Sequence, residues 1–317
     1  MNPAYLYLGG LAVHALIWQF GELLIQEYGE KLAALVTGKP LNQVPRKDAE
    51  GIPIQLYRDG GLHYNPLFVA ARAKRIFTHD VNAPQYAEFI KLTDWLLQNS
   101  TSDGSSLLFP YHFDLPSLRL KAPWYSCLAQ AVALTCFAQR STLSEGDIWK
   151  EHCSGILQSL SPEKGLGLRL SADKVWFPEY TTNPHVLNGM LAVLLELHST
   201  WKLTGLNVAQ RLFEQGFNAV VSILPDFDYK GFSRYDLLGN LASRNYHVMH
   251  LDQLRRLLAI RSDAVVSRFL RKWSAFDRVP VLFQLLYNPR PKRIAAFWGS
   301  LVLIFLAIWL LSSALSL

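Results

Sequence analysis

The sequence predicts an all-α protein, an (α/α) toroid-like helical domain followed by a C-terminal transmembrane helix. Three observations carry that expectation. From Pro66 onward, apolar residues recur at three- and four-residue spacing through eight successive segments. Prolines stand at or near the starts of four of them, where a missing backbone N–H costs a helix nothing. The run from Ile294 to Leu317 holds 24 residues without a charge.

The chain opens with an uncharged apolar run at 4–18, followed by Glu22, Glu27 and Glu30. It is short for a membrane span and lacks the basic leader of a signal peptide. An interfacial or core helix is expected, with a second span as the alternative. Thr37 to Gly61 is polar and punctuated by Gly and Pro, so it reads as a long loop with a short strand at Ile52 to Tyr57.

The helical segments follow at 66–77, 84–99, 123–140, 144–160, 184–203, 205–223, 245–260 and 262–273. Pro66, Pro84, Pro123 and Pro184 mark starts, Asn65 and Asn183 are expected N-caps, and Ser144 with Asp147 has capping-box spacing. Periodicity alone does not separate a toroid from an open α-solenoid, and no clean internal repeat is visible. The expected division is 1–50 for the first helix and linker, 51–275 for the helical domain, 276–293 for a basic juxtamembrane segment and 294–317 for the span.

The span is long enough for a bilayer core, which needs roughly 20 apolar residues. Trp298 and Trp309 lie toward its ends, and Arg290-Pro291-Lys292-Arg293 immediately precedes it. Net charge is +6, yet Leu251 to Arg293 alone carries ten Lys/Arg against three Asp/Glu. A basic cluster beside a span points to lipid headgroups as partner, not nucleic acid, and to a cytoplasmic domain held by one C-terminal helix. Cys127, Cys136 and Cys153 include no CxxC pair, and the first two sit in an apolar helical run as small hydrophobes.

Aromatic residues make up 12% of the chain, nine of them Trp. A Trp-rich core accounts for that composition, but so does stacking on sugar rings. Four polar-aromatic blocks concentrate the chemistry: Gly61-Leu62-His63-Tyr64-Asn65-Pro66, Lys121-Ala122-Pro123-Trp124-Tyr125-Ser126, Trp176 to Pro184 (continuing as HVLNGM at 185–190), and Phe232 to Asp252. His247 and His250 are three apart, and His112 with Asp114 adds no recognisable set, so no metal site is expected. Hydrogen-bonding roles suit the two histidines better.

In this order, PWYSCLAQ at 123–130, EYTTNPHVLNG at 179–189, RYDL at 234–237 and NYHVMHLDQL at 245–254 resemble the C-terminal domain of the D-glucuronyl C5-epimerases. The resemblance spans roughly residues 50 to 260. Leu238 departs from it, because the YDL block of the family's animal members continues with arginine. The resemblance implies a C5-epimerase acting on glucuronate-type residues of a polysaccharide or lipid-linked glycan, with no cofactor, since the proton leaves and returns without oxidation.

Inverting C5 needs acid–base groups on both faces of the sugar and a cation or hydrogen-bond donor at the carboxylate, where negative charge develops. The resemblance assigns the first role to Tyr180, Tyr235 and Tyr246, with Glu179 orienting or deprotonating a partner. Nearby cations are expected to lower a phenol from its ordinary value of about 10. Arg234 and Arg244 are candidate carboxylate clamps. His247, His250, Asn188, Tyr64, Trp124 and Tyr125 complete the candidate substrate contacts. A tyrosine near a helix end is more commonly a packing residue, and that reading stands beside the catalytic one. Two other functions share the pattern: a polysaccharide lyase or glycoside hydrolase on a helical toroid, and a non-catalytic subunit partnered with other members of a membrane glycan-synthesis assembly.

Overall fold

The computed structural model describes residues 3–37, 45–57, 61–143, 146–276, 278–287, 289 and 291–314. An N-terminal helix, α1 (Pro3–Thr37), precedes an antiparallel sheet of β1 (Pro45–Lys47), β2 (Pro53–Tyr57) and β3 (Gly61–His63). All eight expected helices then form: α2 (Pro66–Ile76), α3 (Pro84–Gln98), α4 (Cys127–Arg140), α5 (Gly146–Leu160), α6 (Leu187–Thr204), α7 (Asn207–Ile223), α8 (Arg244–Ile260) and α9 (Ala264–Phe276). A short α10 (Val281–Tyr287) leads into α11 (Pro291–Ala314).

Small antiparallel ribbons punctuate the loops: β4 (Thr101–Ser102) with β5 (Leu107–Leu108), β6 (Leu168–Ser171) with β7 (Lys174–Trp176), and β8 (Asp228–Tyr229) with β9 (Phe232–Ser233). Most of these strands are two to four residues long, too short for a period-2 pattern to register in the sequence.

Helix starts show which local signals prevailed. Asn65 caps α2 as expected, its side chain accepting from Leu67 N at 2.9 Å. Two proline-marked starts are corrected. Pro123 to Tyr125 precede α4 as extended chain, with Trp124 bridged to Tyr111, and Ser126 is the cap. Pro184 likewise precedes α6, because Val186 bridges Asp236 before the helix begins. Asn183 caps nothing and donates instead to Asp236 Oδ2 at 2.7 Å. Ser144, the expected capping-box residue, lies outside the described residues.

The packing is ordered. Helices α2, α4, α6 and α8 lie side by side in succession, and α3, α5, α7 and α9 each pack on the helix that precedes them. The result is an arc of four helical hairpins with an inner and an outer row. The arc's two end helices, α2 and α8, share no packing comparable with that between successive inner helices. Inner helices α4 and α6 are buried nearly all round, which explains their continuous apolar runs. Phe137, Trp176, Phe177 and Phe217 are fully buried between the rows, each worth about 1.5–3 kcal/mol of apolar burial.

Helix α11 is long and apolar enough to cross a membrane, and little of it is covered by the rest of the chain. What covers it is α1, which packs along it. The expected basic collar is altered in one respect. Arg293 does not face outward. It is buried and makes a two-pronged ion pair with Glu22 of α1 at 2.6 and 2.7 Å, with a third bond to Gln284 Oε1 at 2.9 Å. Arg290 lies outside the described residues.

Candidate active site

Three loops at one end of the inner helices converge. The first, after β7, carries Glu179 and Tyr180, and Cys127 N of α4 bonds Pro178 O to fix it. The second, after β9, carries Arg234 and Tyr235. The third is the start of α8, carrying Arg244 and Tyr246.

Asp236 ties the first two together. Its buried carboxylate accepts from Asn183 Nδ2, from Asn240 Nδ2 and N, and from Leu238 N, at 2.7 to 3.1 Å. The backbone joins as well: Leu187 N donates to Tyr235 O, and Leu237 N to His185 O. A carboxylate that satisfies four donors is a scaffold, and it sets Tyr235 against the start of α6.

Glu179 is the hub. It is 7% exposed and sits against the first turn of α6, where only a glycine leaves room. A Cβ on Gly189 would meet Glu179 Oε2 at 2.6 Å and Glu179 Cβ at 3.1 Å. The Tyr180 side chain hydrogen-bonds the carboxylate, yet the buried Oε2 has no hydrogen-bond partner among the described residues. Burial lifts the Glu179 carboxyl to about 6, the hydrogen bond from Tyr180 opposing it only in part. Its negative charge reaches all three phenols.

Tyr180, Tyr235 and Tyr246 are all pushed above the ordinary phenol range, by burial first and by the Glu179 charge next. The expectation of cation-lowered phenols is therefore reversed in the ligand-free protein: these tyrosines are held protonated. Tyr235 and Tyr246 meet edge to face at 4.9 Å and share a hydrogen bond that favours the Tyr246 phenolate. Tyr246 is also the more exposed of the three, at 36%.

Arg234 stacks its guanidinium on Tyr229 at 5.5 Å, and its buried Nε has no hydrogen-bond partner among the described residues. Arg244 is the first residue of α8, two before Tyr246. Asn188 Oδ1 and Gln253 Oε1 are buried and unpartnered in the same sense, although Gln253 Nε2 donates to Asn188 O at 3.0 Å. Unmet polar atoms buried together call for hydrogen-bonding groups from a ligand or water.

The remaining expected residues lie elsewhere in the fold. His247 and His250 are fully buried, and Ser233 Oγ stands 2.8 Å from Nδ1 of each. They hold the β9 strand to α8 beneath the cluster, and burial drives His250 down to about 3, so it is neutral. Trp124 has one face covered by Tyr111, stacked at 3.7 Å, and its indole donates to Phe113 O, so it backs Tyr180 instead of offering a platform to a sugar. Tyr125 lines a separate hollow with Ser102, Asp103 and Lys164. Tyr64 bonds Asp48 at 2.6 Å and lies on Trp95, bordering a cavity lined by His63, Phe109 and His112. Gln253, Asp236 and Ser233 were not singled out in the sequence. Gln253 stands three residues after His250, one helical turn on the same face, and that spacing was the available signal. Among the described residues, no group of three or more His, Cys, Asp or Glu is placed to hold a metal.

Comparison with known proteins follows the same residues. A sequence model of the D-glucuronyl C5-epimerase C-terminus matches residues 102–275, more than half of the chain. An uncharacterized protein of Methanocaldococcus jannaschii is 25% identical over 238 residues, covering 67% of this chain and 77% of that protein. A D-glucuronyl C5-epimerase of Caenorhabditis elegans is 25% identical over 214 residues, covering 59% of this chain and 34% of that one.

Proposed function

Because this chain belongs to the family of the D-glucuronyl C5-epimerase C-terminus, we propose that it epimerises glucuronate-type residues of a glycan at C5. The observation that carries this is the buried Glu179 carboxylate, lifted to about 6, with three protonated phenols within reach of its charge. A base poised near neutrality is what abstraction of a weakly acidic C–H requires.

Glu179 takes the C5 proton, directly or through Tyr180, which passes its own proton to Glu179 as it accepts the one from C5. The electrons of the C–H bond move into the uronate carboxyl group as an enolate. The Tyr235–Tyr246 pair, on a different loop and helix, returns a proton to the opposite face and is itself reprotonated from solvent, while Glu179 releases the proton it took to solvent. Arg234 supplies the unpartnered donor for the carboxylate, where charge builds up. Asn188 and Gln253 offer carbonyl oxygens to sugar hydroxyls. The high phenol values suit proton return, because an acid must be protonated when the carbanion forms.

Incubation with glucuronate-containing glycans in heavy water tests the reading. Deuterium at C5 without chain cleavage is expected. An unsaturated uronate product would transfer the same site to a lyase. No exchange on any such glycan would reject epimerase activity and leave the non-catalytic reading.

A further inference from the structure

The helix pair outside the arc is built inside out. Helices α1 and α11 run antiparallel: Tyr7 meets Phe305 at 5.2 Å, Trp18 meets Phe297 at 5.4 Å, and Glu22 pairs with Arg293. Gly10 lets the backbones close, since a Cβ there would stand 3.3 Å from both Phe305 and Ile308. The polar groups face each other. His14 Nε2 lies 2.8 Å from Ser300 Oγ, and Trp18 Nε1 donates to the same hydroxyl at 3.2 Å. The outward faces are apolar: Leu8, Val13, Leu16 and Ile17 on α1, and Val302, Leu303, Leu306 and Leu310 on α11, all well exposed. A water-soluble helix pair has the opposite polarity, and an apolar surface of this extent needs a cover. The length of α11 suits a bilayer, and Ser300 serves both His14 Nε2 and Trp18 Nε1 inside the pair, with His14 Nδ1 buried and without a hydrogen-bond partner among the described residues.

Helix α10 continues that surface. Phe283, Leu286 and Tyr287 project from it, Leu286 at 79% exposure. Helix α9 carries exposed Arg268 and Arg271, cations that suit anionic headgroups, whereas Lys272 is paired with Asp228 at 2.7 Å. From α10 the path to the site is short. Tyr287 lies 5.5 Å from the Lys230 ammonium, Lys230 lies 5.6 Å from the Tyr229 ring, and Tyr229 lies 5.5 Å from the Arg234 guanidinium. A second link is rigid. Gln284 of α10 bonds Arg293 on one side and the backbone carbonyls of Phe276 and Val279 on the other, and Phe276 packs edge to face on Phe232, two residues before Arg234.

We infer that α1 and α11 form a two-helix membrane hairpin, with α10 in the lipid surface, and that the site consequently acts on a glycan tethered to that bilayer by a lipid. The substrate class rests on the proposed epimerase reading; the hairpin does not. The apolar run at 4–18 is then the second span, at the same depth as 297–308.

Two measurements on the full chain in phosphatidylcholine vesicles containing phosphatidylglycerol test this. Cys127, Cys136 and Cys153 are fully buried, so an environment-sensitive fluorophore reports only on introduced cysteines. Label at V13C is expected to be quenched by spin-labelled lipid bearing its quencher deep in the acyl chains, label at L286C by a headgroup quencher, and label at S102C by neither. Quenching of V13C by aqueous iodide, or by neither probe because a protein partner covers it, overturns the hairpin.

The second measurement compares C5 deuteration of one glucuronate glycan presented free, lipid-linked in the same vesicles, and lipid-linked in protein-free vesicles. Confinement to the shared surface is expected to raise the rate roughly tenfold or more over both other arms. Equal rates overturn the tethered substrate while epimerase activity stands. Silence in every arm rejects the epimerase reading and the substrate class with it, while the quenching pattern still decides the hairpin.

Discussion

Replacing Glu179 by glutamine should make the protein more stable and nearly inactive. The carboxyl rises from 4.5 to about 6 on folding, chiefly through burial. Its ionised form is therefore disfavoured in the folded chain by about 2 kcal/mol. Glutamine keeps the shape and an acceptor for Tyr180 but carries no charge to desolvate. The sign follows from proton uptake. Between 4.5 and 6 the folded chain binds more protons at this site than the unfolded chain, so wild-type stability falls as pH rises through that window. Glu179→Gln lacks this loss.

The stability difference between the two proteins should therefore be near zero below 4.5, widen up to about 6, and remain at about 1–2 kcal/mol in favour of the variant above it. Denaturant or thermal unfolding in detergent, followed by the far-ultraviolet helix signal at a series of pH values, measures it. Deuterium exchange at C5 should drop by about two to four orders of magnitude in the same variant. A variant less stable than wild type at neutral pH, or a difference flat across the series, would refute the idea of a strained, poised carboxylate.

Other outcomes follow from neighbouring geometry. Gly189→Ala should displace Glu179, lowering stability by about 1–3 kcal/mol and exchange with it, because the new Cβ has no room; calorimetry and the exchange assay on one preparation report both. Tyr180→Phe and Tyr246→Phe should each remove most exchange while circular dichroism stays unchanged, and full activity in either takes that residue off the catalytic list. Ser233→Ala should cost about 1–3 kcal/mol, since two buried imidazoles lose their shared hydroxyl. His250, driven down to about 3 by burial, contributes stability that is complete above 6.5 and lost as pH falls from there toward its folded value; acid unfolding of a His250→Gln variant should begin at lower pH than wild type if it folds. If the two-span reading holds with the domain on the cytoplasmic side, an impermeant thiol reagent applied to intact cells should label Y5C and spare S102C, whereas a single C-terminal span would spare both.

The helices were legible because each buries one face or all of itself, and either pattern repeats along the chain. Helix ends were less so. Pro123 and Pro184 resemble helix starts, yet extended segments pairing with Tyr111 and Asp236 hold them back, and those partners are distant in sequence. The grouping of the motif residues was legible, since Glu179, Tyr180, Tyr235 and Tyr246 lie close enough to act on one another. Their electrostatics were not. Burial raises the phenols where the sequence suggested cations would lower them, and burial depth is a property of packing that no short motif encodes. Trp124, Tyr125 and Tyr64 illustrate the same gap: aromatic composition suggested sugar platforms, and tertiary stacking uses or diverts them otherwise. The pairing of α1 with α11 joins residues nearly three hundred positions apart, which the local reading of residues 4–18 had no means to see.

The open arc has a mechanical consequence. In a stack where each hairpin leans only on its neighbours, cohesion behaves as in a one-dimensional chain, and the ends are where it ravels. One end, at α8, packs against α1 and so is tied to the α1–α11 pair. The other, at α2 and α3, is bordered by the small β1–β3 sheet and by the loop through Phe109 and Phe113. Pulled or heated, the protein should come apart from that end inward, with α2 and α3 exchanging their amide hydrogens before α6, and the α8–α9 hairpin giving way last.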